Sequence, residues 1–179
     1  IETANEHAVA LAQTEAAIRS TGGTAQRSVD DILELSASLS ELTSIDDEPI
    51  QEAANTLLTF RDIVGDTFDQ ATAATLDLSV AMDRDLRGSA VMVGRALNDP
   101  VRGLAALTRV GVQFTDEQRA AVEAMVAFGD TAGAQQLILA ELNAEFGGSA
   151  EALGETTQGR LNRVKNQFEA MAATILEDL

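Results

Sequence analysis

Residues 115–148, TDEQRAAVEAMVAFGDTAGAQQLILAELNAEFGG, decide how the rest of the chain is read. Thr115 followed three residues later by Gln118 is a capping-box pattern, in which the hydroxyl takes an orphan first-turn amide and the longer side chain reaches back. The helix it starts carries Val122, Met125 and Val126 and ends near Gly129. Asp130 is placed to cap a second helix, whose apolar face is Ala134, Leu137, Ile138, Leu142 and Phe146 before Gly147-Gly148-Ser149 ends it. A capped start, a helical apolar period and a glycine stop, twice in succession, predict short packed helices rather than strands or one rod.

The same grammar extends toward the N-terminus. Residues 3–19 place Ala8, Leu11, Glu15 and Ile18 on one helical face, with Glu15 weakening the stripe, and Gly22-Gly23 breaks it. Ser28 is positioned to cap a second helix, with Asp31 in place of the usual glutamate of a capping box, and Ile32, Leu35, Leu39 and Leu42 as its buried face. Thr43 to Pro49 reads as a stop followed at once by a start, with Ser44 or Asp46 as cap and Pro49 tolerable in the first turn. Ala53, Ala54, Leu57, Leu58 and Phe60 follow in a third helix. Further helices are expected over 67–82, with Phe68, Ala71, Leu76, Leu78 and Met82, and over 85–97, with Leu86, Ala90, Val93 and Leu97. Asn98-Asp99-Pro100 stops the latter, and residues 100–110 form a short element with Val101, Leu104 and Leu107.

The C-terminal stretch has a different texture. Leu153, Thr157, Leu161, Val164, Phe168, Met171 and Ile175 recur every three or four residues, and a helix over 151–179 would span about 43 Å with a stripe that resembles a coiled-coil seam. The expected organisation is therefore all-α: a compact multi-helix module over 1–150 and a longer C-terminal helix over 151–179. Leu161, Val164, Phe168, Met171 and Ile175 are the candidate interface, through which the segment associates with another helix, another copy or the rest of a longer chain, or else packs within the monomer. The chain starts at Ile1 rather than methionine and both ends fall within helical patterns, so an excerpt of a longer protein is expected.

Composition narrows the function. With 45% hydrophobic and 23% charged residues the chain lacks the signature of full disorder, and its 179 residues suffice to bury about 70% of the extended-chain surface. Six Phe are its only aromatics, so the interior is aliphatic and rich in alanine, which favours helices over strands. A net charge of −17, with Lys165 the single lysine, repels phosphate backbones and anionic bilayers, so no direct nucleic-acid binding is expected. There is no cysteine, and no apolar run long enough for a membrane span.

Catalytic constellations are thin. His7 is the single histidine, and with no cysteine a nucleophile–histidine arrangement would have to use it; an ordinary surface or interface role is the expectation. Asp83, Asp85 and Gly88 imitate the first, third and sixth positions of a calcium loop, but Arg87 and Gly94 stand where oxygen ligands belong. Glu141 and Glu145 share a helical face and are read as a solvated, mildly self-repelling pair rather than as paired hydrolytic acids. Gly129 to Gly133 reads as a helix end and start, not a phosphate cradle. No catalytic residue, cofactor or metal site is expected.

Asp77-Leu78-Ser79-Val80-Ala81-Met82 and Val93-Gly94-Arg95-Ala96-Leu97-Asn98-Asp99-Pro100 resemble the conserved middle of tail length tape measure proteins of tailed bacteriophages and prophages. The resemblance continues through Gly103-Leu104, Leu107 and Arg109-Val110-Gly111-Val112-Gln113-Phe114-Thr115. It resumes at Gly129-Asp130, Gly133-Ala134-Gln135, Ile138-Leu139-Ala140-Glu141-Leu142 and Glu145-Phe146-Gly147-Gly148-Ser149-Ala150-Glu151-Ala152. Thr21-Gly22-Gly23, Ser28, Asp46-Asp47-Glu48 and Leu57-Leu58-Thr59-Phe60 extend it to most of the chain. Each segment is weak alone; their ordered succession is specific.

The resemblance implies a structural protein that spans a growing tail and sets its length. It also implies work with the tail tube protein, tail assembly chaperones and tail-tip components, in the host cytoplasm during assembly and in the virion tail afterwards. Family members sometimes carry peptidoglycan-cleaving domains, and no such domain is evident here. Fully helical, 179 residues would reach about 270 Å, so this segment by itself is not a whole ruler. A helical cellular scaffold or adaptor unrelated to tails is the alternative.

Overall fold

The computed structural model describes residues 2–156 together with Leu161 and Lys165, with side chains from Ala8 onward. Along it run helices α1 (Glu2–Thr21), α2 (Val29–Thr43), α3 (Asp47–Leu58), α4 (Asp66–Ala81), α5 (Leu86–Asn98), α6 (Pro100–Arg109), α7 (Asp116–Ala127), α8 (Thr131–Phe146) and α9 (Ser149–Glu155). Among the described residues there is no strand, and the fold is all-α.

The starts follow from local chemistry. The Asp31 amide donates to Ser28 Oγ at 3.1 Å while the Ser28 amide donates to Asp31 Oδ2 at 2.8 Å, closing the first capping box. Gln118 and Thr115 close the second, at 3.1 Å and 2.7 Å. Asp85, Asp99 and Asp130 cap α5, α6 and α8 by accepting the amides of Gly88, Arg102 and Gly133. Pro100 sits at the first position of α6, where its missing N–H removes no intrahelical bond. At the other end of α2, Ser44 takes a left-handed φ of 61° and donates its amide to the Ser40 carbonyl at 2.9 Å.

Helices α3, α4 and α5 form the centre. α3 is packed by α1, α2, α4 and α5, while α4 also meets α8 and α9, and α6 and α7 lead from α5 back onto α8. The main core holds Ile32, Leu57, Leu58, Ile63, Phe68, Leu78, Val93, Leu97, Leu107, Ile138 and Leu142, all buried. A smaller cluster of Ile50, Leu76 and Ala150 is bordered by Leu39, Ile45, Val80 and Leu86.

Because so few of these side chains are large, helix backbones approach closely. A Cβ on Gly103 would collide with the backbone of Ala96, where α6 crosses α5, and a Cβ on Gly94 would enter the ring of Phe60. These glycines are required by contact rather than by backbone conformation.

Three expected faces are shifted. On α1, Ala10 and Thr14 are buried and Ala8 and Glu15 are exposed, because Thr14 Oγ1 accepts from Gln51 Nε2 of α3 at 2.8 Å and so turns that face inward. Glu15 instead lies 3.9 Å from Arg19 on the outside. Leu42 is 52% exposed, with Thr43 buried in its stead, and Val101 is exposed on the outer side of α6 while Leu104 and Leu107 point inward.

The expected division between 1–150 and 151–179 falls within α9, after its second residue. Ala150 and Gly154 are both buried, so the chain just past residue 150 still belongs to the packed body. Thr156 then adopts an extended conformation, with φ −65° and ψ 158°. The rest of the expected 151–179 helix lies outside the described residues, apart from Leu161 and Lys165, both helical.

Replacing Gly103 with Val is expected to cost about 1–3 kcal/mol or more, because the α5 backbone cannot give way as a side chain would. Replacing the exposed Val101 with Ala, on the same helix, is expected to change stability by less than about 0.5 kcal/mol. Urea unfolding of the two variants checks the contrast, and equal effects would contradict the close crossing.

Candidate interaction surface

Of the candidate interface, Leu161 is described and is 61% exposed; Val164, Phe168, Met171 and Ile175 lie outside the described residues. Gly154 of α9 lies so close to the end of α2 that a Cβ there would collide with the Leu42 carbonyl. Leu42 and Leu153 flank this contact in sequence and are 52% and 43% exposed. The other large exposed apolar side chains among the described residues are Val9, Val101 and Phe128, the last 91% exposed in the α7–α8 turn.

Between α4 and α8 runs an open groove of about 280 Å³ with a floor of Ala73, Ala74, Leu139 and Ala140 and polar margins that include Gln70, Gln136 and Asn143. Asp77 is the one titratable group in its lining, and its Oδ1 accepts the Ala150 amide at 2.9 Å at the start of α9. Acid–base hydrolysis by paired carboxylates needs two carboxyl groups facing one another, and this groove does not supply them.

Several side chains that hold these surfaces in place were not visible from spacing. Gln135 Nε2 donates to the carbonyls of Asp62, at 2.8 Å, and Leu97, at 3.0 Å, joining α8 to the α3–α4 loop and to the end of α5. Glu141 and Glu145, expected as a solvated self-repelling pair, instead accept hydrogen bonds from the α6–α7 connection and the start of α7. Glu141 Oε2 takes Gln118 Nε2 at 2.5 Å and Glu145 Oε1 takes the Gln113 amide at 2.6 Å. Both belong to contacts between residues far apart in sequence, which helical periodicity does not encode.

The calcium-loop imitation resolves into helix chemistry: Asp83 has a left-handed φ of 49°, and Asp85 Oδ1 accepts the Gly88 amide at 2.6 Å as the α5 cap. Asp130 likewise accepts the Gly133 amide at 2.9 Å, so Gly129 to Gly133 is a helix stop and start. Among the described residues no three His, Cys, Asp or Glu side chains are grouped to hold a metal ion, and no helix is long and apolar enough to cross a membrane. The His7 side chain lies outside those described.

The densest charge arrangement joins the start of α2 to the start of α4. Arg27 Nε and Nη2 bind the two carboxylate oxygens of Asp69 at 2.9 Å and 2.6 Å, and Nη2 also reaches Asp66 at 3.2 Å. The Asp69 bond, then the attraction of the two carboxylates, raises the Arg27 pKa above its ordinary value against the opposing effect of burial. The Ser28 amide, then its hydroxyl, hold the Asp31 carboxyl below the usual aspartate range, with a smaller contribution from Arg27.

Two predictions follow from these contacts. Gln135→Leu leaves the Asp62 and Leu97 carbonyls without their donor and is expected to cost about 1–3 kcal/mol, whereas Gln136→Leu, whose amide reaches Thr67 at 3.2 Å on the surface, is expected to cost far less. Chemical denaturation of both variants measures the difference. Because the folded-state pKa of Asp31 is depressed, its contribution to stability is complete above the ordinary aspartate pKa and is lost as pH falls through that value toward the folded one. Asp31→Asn is therefore expected to flatten the acid limb of a stability-versus-pH profile, and an unchanged limb would contradict the capping box as its source.

Comparison of the chain with protein-family models, with curated proteins and with solved structures gives no significant match.

Proposed function

We propose that this chain is a non-enzymatic structural segment of a phage or prophage tail tape measure protein, contributing to tail assembly and tail length determination. The observation that carries this reading is the ordered succession of family-like segments from Thr21 to Ala152. Many of those segments coincide with joints of the fold. Val93 to Pro100 holds the Gly94–Phe60 contact, the Ala96 crossing and the Asp99 cap. Gly129-Asp130 and Gly133 form the turn and cap between α7 and α8, and Glu145 to Ala152 forms the α8–α9 joint. Residues that are unremarkable singly thus have individual mechanical roles in one helical body.

In this reading the body is an anchoring or organising module of a longer ruler, and the ruler's length resides in other parts of the polypeptide. Its partners are the tail tube protein, tail assembly chaperones and tail-tip components, met in the host cytoplasm and retained in the virion tail. The strongly acidic surface favours basic faces on those partners and disfavours nucleic acid. Leu161, with Val164, Phe168, Met171 and Ile175, is the proposed association seam, including self-association. The non-enzymatic reading rests on the single histidine, the absence of cysteine and the poor calcium-loop match.

The test uses the phage or prophage that encodes the parental polypeptide. In-frame removal of residues 2–156 is expected to abolish tails of uniform length, while duplicating a helical stretch outside this module lengthens tails by about 1.5 Å per added residue. Electron microscopy reads both outcomes. Tails of unchanged length and number after both changes would overturn the proposal. A stable complex with a cellular protein in the absence of tail components would instead favour a helical scaffold or adaptor.

A further inference from the structure

We infer that α9 is a latch, unseating as a unit about Gly147-Gly148 while α3, α4, α5 and α8 stay folded, and thereby uncovering an apolar recess over Ile50 and Leu76. The inference starts from how little of α9 is interior. Its buried residues are Ala150 and Gly154, whereas Glu151, Ala152, Leu153 and Glu155 are exposed. Ala150 therefore supplies the one fully buried side chain of the element, with Ser149 half-buried and Leu153 43% exposed. A helix of 7 residues is also far below the length that is stable alone in water, so α9 keeps its helical form only while seated.

The seat is built separately from the main core. Ala150 closes over Ile50 and Leu76, with Leu39, Ile45, Val80 and Leu86 around them, while Phe68, Leu97, Ile138 and Leu142 belong to the larger cluster. Loss of α9 would thus open the smaller cluster and leave the larger one intact. Among the contacts that register α9 in its seat are the Ala150 amide on Asp77 Oδ1 at 2.9 Å and the close approach of Gly154 to the Leu42 carbonyl, and Ser149 Oγ donates to the Phe146 carbonyl at 2.6 Å across the hinge. Gly154, farther from the hinge than Ala150, is displaced most if the helix swings out, and Ala150 leaves Asp77 when the element unseats as a unit.

The hinge is suited to that motion. Gly148 has φ +81° with open space where a Cβ would stand, so its dihedrals can change without loss of side-chain packing. Elements with few buried apolar contacts open locally at free energies well below that of global unfolding. α9 is also the last element before residue 157, so a partner that binds or pulls the following chain acts on this joint first. The behaviour does not depend on whether the longer chain is a tail ruler.

Native-state hydrogen exchange on the full 179-residue chain, followed at several low urea concentrations, tests the latch. The amides of 152–155 are expected to be protected, yet to exchange about 100-fold faster than those of α5 and α8 and with little urea dependence, as local opening requires. Gly154→Val, whose side chain meets the Leu42 carbonyl, is expected to speed α9 exchange at least about tenfold further without moving α5 or α8. Asp77→Ala, which removes another registering contact, is expected to act in the same direction. Exchange of α9 at the rate and urea dependence of α5 and α8 in the unaltered chain would overturn the latch, since α9 would then open only with the whole fold. A complete lack of protection in α9 would overturn it equally, because a latch must first be seated. If either variant fails to fold, the unaltered chain still decides.

Discussion

The backbone of α6 lies against that of α5 where Gly103 meets Ala96, and the rest of the molecule depends on contacts of this kind. A chain with six Phe and no Tyr or Trp cannot fill wide spaces between helices. It gains dense packing by bringing helix axes close, which demands glycine or alanine at the crossing points. Gly154 beside the Leu42 carbonyl repeats the device where α9 meets the end of α2, while Gly94 makes room for the Phe60 ring of the α3–α4 loop. Larger residues such as Leu97, Leu107 and Phe68 then interdigitate around these crossings.

The acidic composition takes on a different meaning in the folded state. Asp31, Asp85, Asp99 and Asp130 stand at helix N-termini, where a carboxylate both accepts orphan amides and faces the positive end of the helix dipole. Asp77 does the same across space for α9, and Glu141 and Glu145 fasten α8 to the start of α7 and the loop before it. Asp66 and Asp69 surround Arg27. Much of the negative charge is therefore part of the joinery of a many-helix body, in which every additional short helix creates another start to be capped. Among the described residues no acidic side chain is buried.

Packed this way, the described residues form a body rather than a rod, and that bears on the function we propose. A tail ruler needs extended chain, whereas successive stops at Ser44, Asp99, Gly129 and Gly147-Gly148 fold this segment back on itself. In the function we propose, such a segment holds one end or one station of the assembly in register. Its large apolar exposures among the described residues are spread over Val9, Leu42, Val101, Phe128, Leu153 and Leu161, with Leu42 and Leu153 on either side of the α2–α9 contact.

Helix identity and helix boundaries were legible in the sequence because they are set by local chemistry. Ser28 with Asp31, Thr115 with Gln118, Asp130, and Pro100 after Asp99 each mark a start that depends on neighbours within four residues. Most of the core followed from the same period, as with Ile32, Leu57, Val93, Leu97, Ile138 and Leu142. The α1 face was misplaced because Thr14 is turned inward by Gln51, a residue of another helix that no period along α1 reveals. The functions of Gln135, Asp77, Glu141 and Glu145 were hidden for the same reason: each meets a group far along the chain. The sequence by itself thus determined most of the helices and their capped starts, through short-range capping and periodic burial, although it ran the third helix through Phe60 and the last helix through Thr156, which is extended. Only the tertiary structure decided which polar side chains face inward and which glycines carry a crossing, because those are properties of the space between helices.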